Sequence, residues 1–252
     1  MHILFVLAHP EPKSFNAALV QSGKRALESD GHTVEISDLY GEHFDPVEHP
    51  RHYADRADND TFSALAEQRH AYKSGTLAPE ITREIERLER ADLVVFQFPI
   101  WWHSVPAMIK GWCDRVFVSG GLYTSRMRYG EGYFRGKRAM CSVTSGAPAD
   151  TFVPGGRGGE ISQILWSTHF SLHYMGFDVL PPHGSFGIQG HGYRYADDGE
   201  FRDGLESAKD RFAHRLLSLD EHAPLQFPSW EDWDDMGRPL NTKNKNAKEA
   251  LC

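Results

Sequence analysis

Short apolar runs rich in β-branched and aromatic residues alternate with amphipathic stretches along most of this chain, and no other feature constrains its fold as tightly. HILFVLAH (2–9) is followed by SFNAALVQSGKRALES (14–29), HTVEISDL (32–39), PEITREIERLER (79–90) and DLVVFQFP (92–99). AMIKGWCDRVF (107–117), RAMCSVTS (138–145), EISQILWSTHFSLHYM (160–175), FDVLPP (177–182) and a last helical stretch around 200–218 continue the pattern. Strands separated by helices require right-handed crossovers, which give a parallel sheet covered on both faces. Five strands in the order 2-1-3-4-5 suit this spacing. Residues 1–220 read as one α/β domain. Residues 41–78 read as a long, polar, weakly helical connection, and 221–252 as a partly mobile extension in which Phe227, Trp230 and Trp233 precede the polar run NTKNKNAKEA.

Composition narrows the function. A formal charge of −8, with no basic stripe, argues against nucleic acid as a partner and for a small substrate. No run approaches the roughly 20 apolar residues of a membrane span, and MHILFVLAH lacks the basic flank and cleavage site of a signal peptide, so a cytoplasmic protein is expected. Cys113, Cys141 and Cys252 are too few and too widely spaced for a disulfide framework and read as thiols.

In an open parallel sheet, ligands sit beyond the carboxyl ends of the strands where the strand order reverses. Three loops fall there. In HPEPKSFN, Ser14 and Asn16 can open a helix whose free N–H groups and positive dipole end suit a phosphate, although an N-cap alone would look the same. In PIWWHSVP, Trp101, Trp102 and His103 lie between Pro99 and Pro106, and aromatic rings held in this way can pack on a planar heterocycle or fill a core or interface. In TSGAPADTFVPGGRGGE, five glycines let the backbone approach a ligand and offer it N–H donors.

Other matches fail. GEGYFRGKR has the wrong glycine spacing for a P-loop and places Arg138 where magnesium binding needs Ser or Thr. GGRGGE does not follow a strand as a dinucleotide fingerprint must. His169 and His173 are four apart on a helix but lack a third zinc ligand, so no metal is expected.

Taken together, LAHPEPKSFNAA, AYKSGTLAPEI, ADLVVFQFPIWWHSVPAMIKGWCDRVF, GYFRGKRAMCSVTSG and the ILW…HYMGFDVL segment resemble the NAD(P)H:quinone oxidoreductases of the DT-diaphorase type. The resemblance implies a flavodoxin-like fold, FAD, NADH or NADPH as donor, and a quinone or related aromatic acceptor. It implies two-electron, ping-pong hydride transfer through flavin N5. It assigns His9, Ser14, Phe15, Asn16 and Ala18 to the pyrophosphate and adenosine end of FAD. Pro99, Ile100, Trp101, Trp102 and His103 would meet one side of the isoalloxazine, and Thr144, Ser145, Gly146, Ala147 and Phe152 would line another. It also implies a homodimer in which Tyr123 and Tyr174 reach the partner's pocket, with Ser125 beside them on the substrate side.

For catalysis, the reading relies on Trp102, Tyr123, the backbone N–H groups of Gly146 and Ala147, which can meet negative charge on a reduced flavin, and Arg157. The chain departs from well-known animal relatives at Phe152 and Gly158, where those hold a tyrosine and a histidine, and at Ser125, where they hold a second tyrosine. Two alternatives stay open: an azo- or nitro-compound flavin reductase, and a flavoprotein regulatory subunit of a transporter using the aromatic patch of the extension.

Overall fold

The computed structural model describes residues 1–188 and 196–240. Strands β1 (His2–Leu7), β2 (Thr33–Asp38), β3 (Leu93–Pro99), β4 (Arg138–Thr144) and β5 (Asp178–Val179) form a parallel sheet in the order β2-β1-β3-β4-β5. The expected strand order is therefore the observed one. The fifth strand is interrupted, however. After Leu180, Pro181 and Pro182 the chain returns as β6 (His183–Ser185), which pairs with the far end of β4 through Ser142↔His183 and Thr144↔Ser185. Two consecutive prolines cannot donate ladder hydrogen bonds, which explains the break.

Helices α1 (Phe15–Ser29) and α7 (Asp198–Leu217) cover one face of the sheet. There Ile3, Phe5, Val95 and Met140 pack with Leu19, Val20, Phe212 and Leu216. Helices α3 (Pro79–Arg90), α4 (Ala107–Val116) and α6 (Trp166–Tyr174) cover the other face, over Leu4, Val6, Val94, Phe96 and Phe98. The stretch 160–175 is two helices, α5 (Ile161–Ile164) and α6, joined at Leu165.

The polar stretch 41–78 contains a helix, α2 (Ala64–Ser74). Its weak hydrophobic periodicity hid it, because its buried face includes Glu67 and Gln68. Glu67 is satisfied by the Arg56 side chain and the Ala57 N–H, and Gln68 by Ser119 N–H and the Asp114 carbonyl. The KGW run is also explained. A Cβ on Gly111 would lie 2.0 Å from the Pro46 carbonyl oxygen, so α4 packs directly on the connection. Trp112 is fully buried and donates its Nε1–H to Glu84 at 2.8 Å.

The start of the C-terminal extension docks on the body. The Leu225 N–H donates to the Val179 carbonyl at 2.8 Å, His173 stacks on Phe227 at 4.8 Å, and Tyr129 packs against both Trp230 and Trp233. The patch that could serve a transporter partner thus meets this chain's own α6 and the Tyr129 loop. The polar run 241–250, expected to be mobile, lies outside the described residues, as does Cys252. Cys113 and Cys141 are free thiols whose pKa values burial raises, Cys113 to about 12. No helix among the described residues is long and apolar enough to cross a membrane.

Candidate active site

The three loops meet at the carboxyl edge of the sheet through one buried polar hub. Asn16, in the first turn of α1, is 4% exposed. Its Oδ1 accepts from Gln97 Nε2 at 2.8 Å and its Nδ2 donates to Thr144 Oγ1 at 2.9 Å. One carboxamide thereby ties the start of α1 to the ends of β3 and β4. Gln97 belongs to the QFP run, yet nothing in a one-dimensional reading separates it from its apolar neighbours. Its Oε1 is buried with no hydrogen-bond partner among the described residues.

At the first loop, Ser14 caps α1 by accepting from the Ala17 N–H, and its carbonyl accepts from Ala18 N–H. The N–H groups of Phe15 and Asn16 meet no acceptor among the described residues, so they are open to an anion at the positive end of the helix. His9 accepts from Glu11 N–H at Nδ1, at 3.0 Å, which places the proton of the neutral ring on Nε2 as a donor. Burial lowers the pKa of His9 and favours that neutral ring.

The second loop is a two-residue turn. Trp101 and Ser104 exchange both backbone hydrogen bonds, at 3.1 and 3.0 Å, and the central residues Trp102 and His103 have φ of 52° and 55°. Turns with both central φ angles positive favour Asn-Gly, because a Cβ is strained there by roughly 1–2 kcal/mol per residue. No glycine or asparagine signals this turn in the sequence. The strain is kept at a place where Trp102 is 97% exposed, its ring held out from the protein by a backbone with little freedom. Pro99 and Ile100 lead into the turn, the Ile100 N–H bonding the Thr144 carbonyl at 2.9 Å, and Trp101 lies 6.3 Å from the His9 ring.

The third loop follows Thr144. Ser145 N–H donates to the Ser185 carbonyl, and Ala147 N–H donates to Ser145 Oγ at 3.2 Å. Of the two donors expected here, Gly146 is therefore the one without an acceptor among the described residues, and it is exposed. Phe152 is buried against Phe186, ring centroids 4.8 Å apart, and so contributes to the packing of the loop. A Cβ on Gly158 would lie 2.9 Å from the Thr151 carbonyl oxygen, so the loop as folded has no room for a side chain at the position where the family resemblance implies a histidine. The His103 ring does approach the neighbouring residue, its Cδ2 3.9 Å from a Cβ built on Gly159. Arg157 is exposed, with no ion pair among the described residues.

Tyr123 and Tyr174 are brought together, ring centroids 5.6 Å apart, in a groove of about 860 Å³. Its lining runs from Ser104 and Val105, immediately after the turn, past Ile109 and Phe117 to Phe170. Ser125 is exposed two residues beyond Tyr123. His169 and His173 do not converge on a site: His169 is buried, while His173 Nε2 lies 3.0 Å from the Pro228 carbonyl oxygen.

A doubly wound parallel sheet with an open helix start, a rigid aromatic turn and a glycine-rich loop on one edge defines a flavodoxin-like protein. Residues 1–212 match the family described as having a flavodoxin-like fold. The mouse ribosyldihydronicotinamide dehydrogenase [quinone] is 40% identical over 231 residues, covering 90% of this chain and 96% of that protein. The guinea pig NAD(P)H dehydrogenase [quinone] 1 is 40% identical over 187 residues, covering 73% and 68%. The solved structure of a candidate quinone reductase from Klebsiella pneumoniae superposes with a TM-score of 0.81 at 36% identity, over 92% of this chain and 91% of that one. The chain belongs to the flavodoxin-like NAD(P)H:quinone oxidoreductase family.

Proposed function

We propose that the protein is an FAD-dependent NAD(P)H dehydrogenase (quinone) that works by ping-pong hydride transfer as a cytoplasmic homodimer. The observation that carries the reading is the Trp102–His103 turn, a strained, exposed aromatic shelf set between an open helix start and a free Gly146 N–H. These groups fit a flavin dinucleotide: N–H donors for a pyrophosphate, a planar surface for a tricyclic ring, and a backbone donor for its anionic edge. When bound, the flavin supplies a centre that accepts hydride from the donor and returns it to the acceptor, giving NAD(P)⁺ and hydroquinone from NAD(P)H, quinone and one proton.

The chain's own residues bind and position. Phe15 and Asn16 N–H groups and His9 Nε2–H hold the phosphates, Ala18 adjoins them on α1, and the buried Asn16 hub keeps the three loops in register. Trp102 and Ile100 restrict the ring to one plane. Gly146 N–H and the guanidinium of Arg157 would offset negative charge at the flavin's anionic edge. Tyr123, Ser125 and Tyr174 of a second copy close the substrate side, where donor and acceptor bind in turn. A cytoplasmic setting, with its supply of reduced nicotinamide nucleotides, suits this chemistry.

Mass spectrometry of the cofactor released from purified protein tests the reading. FAD at one per subunit is expected, and FMN alone would refute the adenosine-end assignment. Assays with NADH, NADPH and dihydronicotinamide riboside identify the donor, and the last is included because of the name of the mouse relative. Mixing inactive Trp102→Ala and Tyr123→Ala subunits should restore activity in verified heterodimers if each site draws on both chains. Reduction of azo or nitro compounds without quinone reduction would favour the alternative reductase.

A further inference from the structure

Several arginines of this acidic protein are held by carboxylates, and Arg128 is not. Arg87, Arg90, Arg115 and Arg138 each meet a carboxylate within 3.2 Å, whereas Arg128 has no ion pair among the described residues. Its guanidinium carbon lies instead 5.2 Å from the ring centroid of Trp230, 5.6 Å from Tyr174 and 5.9 Å from Tyr129. Its Nη1 is 3.4 Å from the Tyr174 hydroxyl, and its Nε is buried with no hydrogen-bond partner among the described residues. The backbone is fixed as well, because Trp230 donates its Nε1–H to the Arg128 carbonyl at 3.2 Å. Ring faces attract a cation without neutralising it, and guanidinium stays charged at any working pH. The result is a pre-positioned, half-buried positive charge with unused donors.

The place matters. Tyr174 is shared between this aromatic box and the groove, where it packs on Tyr123. The charged residues that line the groove are Glu48, Lys110 and Asp114, and Lys110 and Asp114 pair with each other. Arg128 does not itself line the groove but stands beside it at Tyr174, so a planar anion with its ring on the tyrosines would meet this charge at the Tyr174 hydroxyl, 3.4 Å from Nη1.

We propose that Arg128 is a specificity-determining residue that selects aromatic acceptors carrying a carboxylate, sulfonate or phosphate. The inference rests on the reading that the Tyr123–Tyr174 wall bounds the substrate site. Guanidinium's planar fork matches such oxyanions, and removing one partner of a partly desolvated charge pair weakens binding strongly.

The test uses the flavin-loaded protein and two matched probes, 1,4-naphthoquinone-2-sulfonate and the uncharged 2-methyl-1,4-naphthoquinone. Calorimetric binding is measured for wild type, Arg128→Met and Arg128→Lys at low and high salt, together with kcat and KM for each quinone and for NADH and NADPH. In Arg128→Met, the preference for the sulfonate over the neutral quinone should fall at least tenfold, chiefly through Kd and KM. Arg128→Lys should recover part of it, and salt should erode the wild-type preference.

Equal weakening of both quinones, with faster proteolysis of the extension, would make Arg128 a clamp for Trp230 and overturn the proposal. A rise confined to the KM of NADH and NADPH would assign the guanidinium to the donor's phosphates, and would likewise overturn it. Failure of wild type to bind the sulfonate more tightly than the neutral quinone would do the same. If wild type binds both quinones but reduces neither, the quinone reductase reading fails, while the binding ratios still decide the role of Arg128.

Discussion

Replacing Gln97 by methionine and Asn16 by leucine should have unequal effects, although the two residues share one hydrogen bond. In Asn16→Leu, Gln97 Nε2 and Thr144 Oγ1 both lose their carboxamide partner inside a closed interior. Each buried polar group left unpaired costs about 1–3 kcal/mol, so a destabilisation of roughly 2–6 kcal/mol is expected. In Gln97→Met one neutral hydrogen bond worth about 1 kcal/mol disappears, and so does the buried Oε1 that has no partner. The loss and the relief nearly cancel, and the net change should stay within about 1 kcal/mol of zero. Asn16 also keeps an acceptor contact from Thr144 Oγ1 at 3.2 Å. Urea unfolding of cofactor-free protein at fixed protomer concentration measures both changes through the midpoint at constant slope. A Gln97→Met variant as destabilised as Asn16→Leu would show that Oε1 is satisfied in solution, and would refute the reasoning. Both variants should release flavin faster than wild type, because Asn16 then no longer holds the three loops in register.

Four further outcomes are expected. His103→Gly should raise the melting temperature of the cofactor-free protein by relieving a positive-φ side chain worth about 1 kcal/mol, while flavin affinity falls; a lower melting temperature would contradict the strained turn. Gly111→Ala should destabilise by about 1–3 kcal/mol or more in thermal melts, since its Cβ would meet the Pro46 carbonyl at 2.0 Å. Burial lowers both His169 and His183 to about 4, below the unfolded value near 6.5, so their contribution to stability is complete above about pH 6.5 and is lost as pH falls towards 4. Between pH 7 and 5 each should cost roughly 2 kcal/mol, and urea midpoints of wild type and His183→Gln at the two pH values check the slope. Arg157→Met should slow reduction of the bound flavin by NAD(P)H about tenfold in stopped-flow traces, and an unchanged rate would reduce Arg157 to a solvated loop residue.

The sheet order was legible because five apolar runs, each too short for a helix, are spaced by amphipathic stretches, and handedness leaves few ways to connect them. The three site loops were legible from their place after strands and from family motifs. What stayed hidden depends on contacts distant in sequence. Helix α2 buries Glu67 and Gln68, so its pattern reads as polar until Arg56 and Ser119 are seen to satisfy them. The turn at Trp102 and His103 carries residues that ordinarily avoid positive φ, because position on the shelf outweighs backbone preference. Gln97 pairs with Asn16 across 81 positions, and Arg128 meets Trp230 across 102, separations that no local pattern records.

The divided fifth strand also governs how this molecule meets its neighbours in a crowded solution. A sheet edge with a continuous row of free N–H and C=O groups invites a foreign strand to extend it. Here β5 offers two residues, and the outward Val179 carbonyl is already taken by Leu225. Pro181 and Pro182 then present no N–H at all before three residues of β6. An incoming strand would find its ladder interrupted within a few residues, in an otherwise β-rich and apolar region. The same break that carries the chain along β4 to Ser142 and Thr144, beside the Asn16 hub, thus leaves little continuous edge on this side of the sheet for a foreign strand to extend.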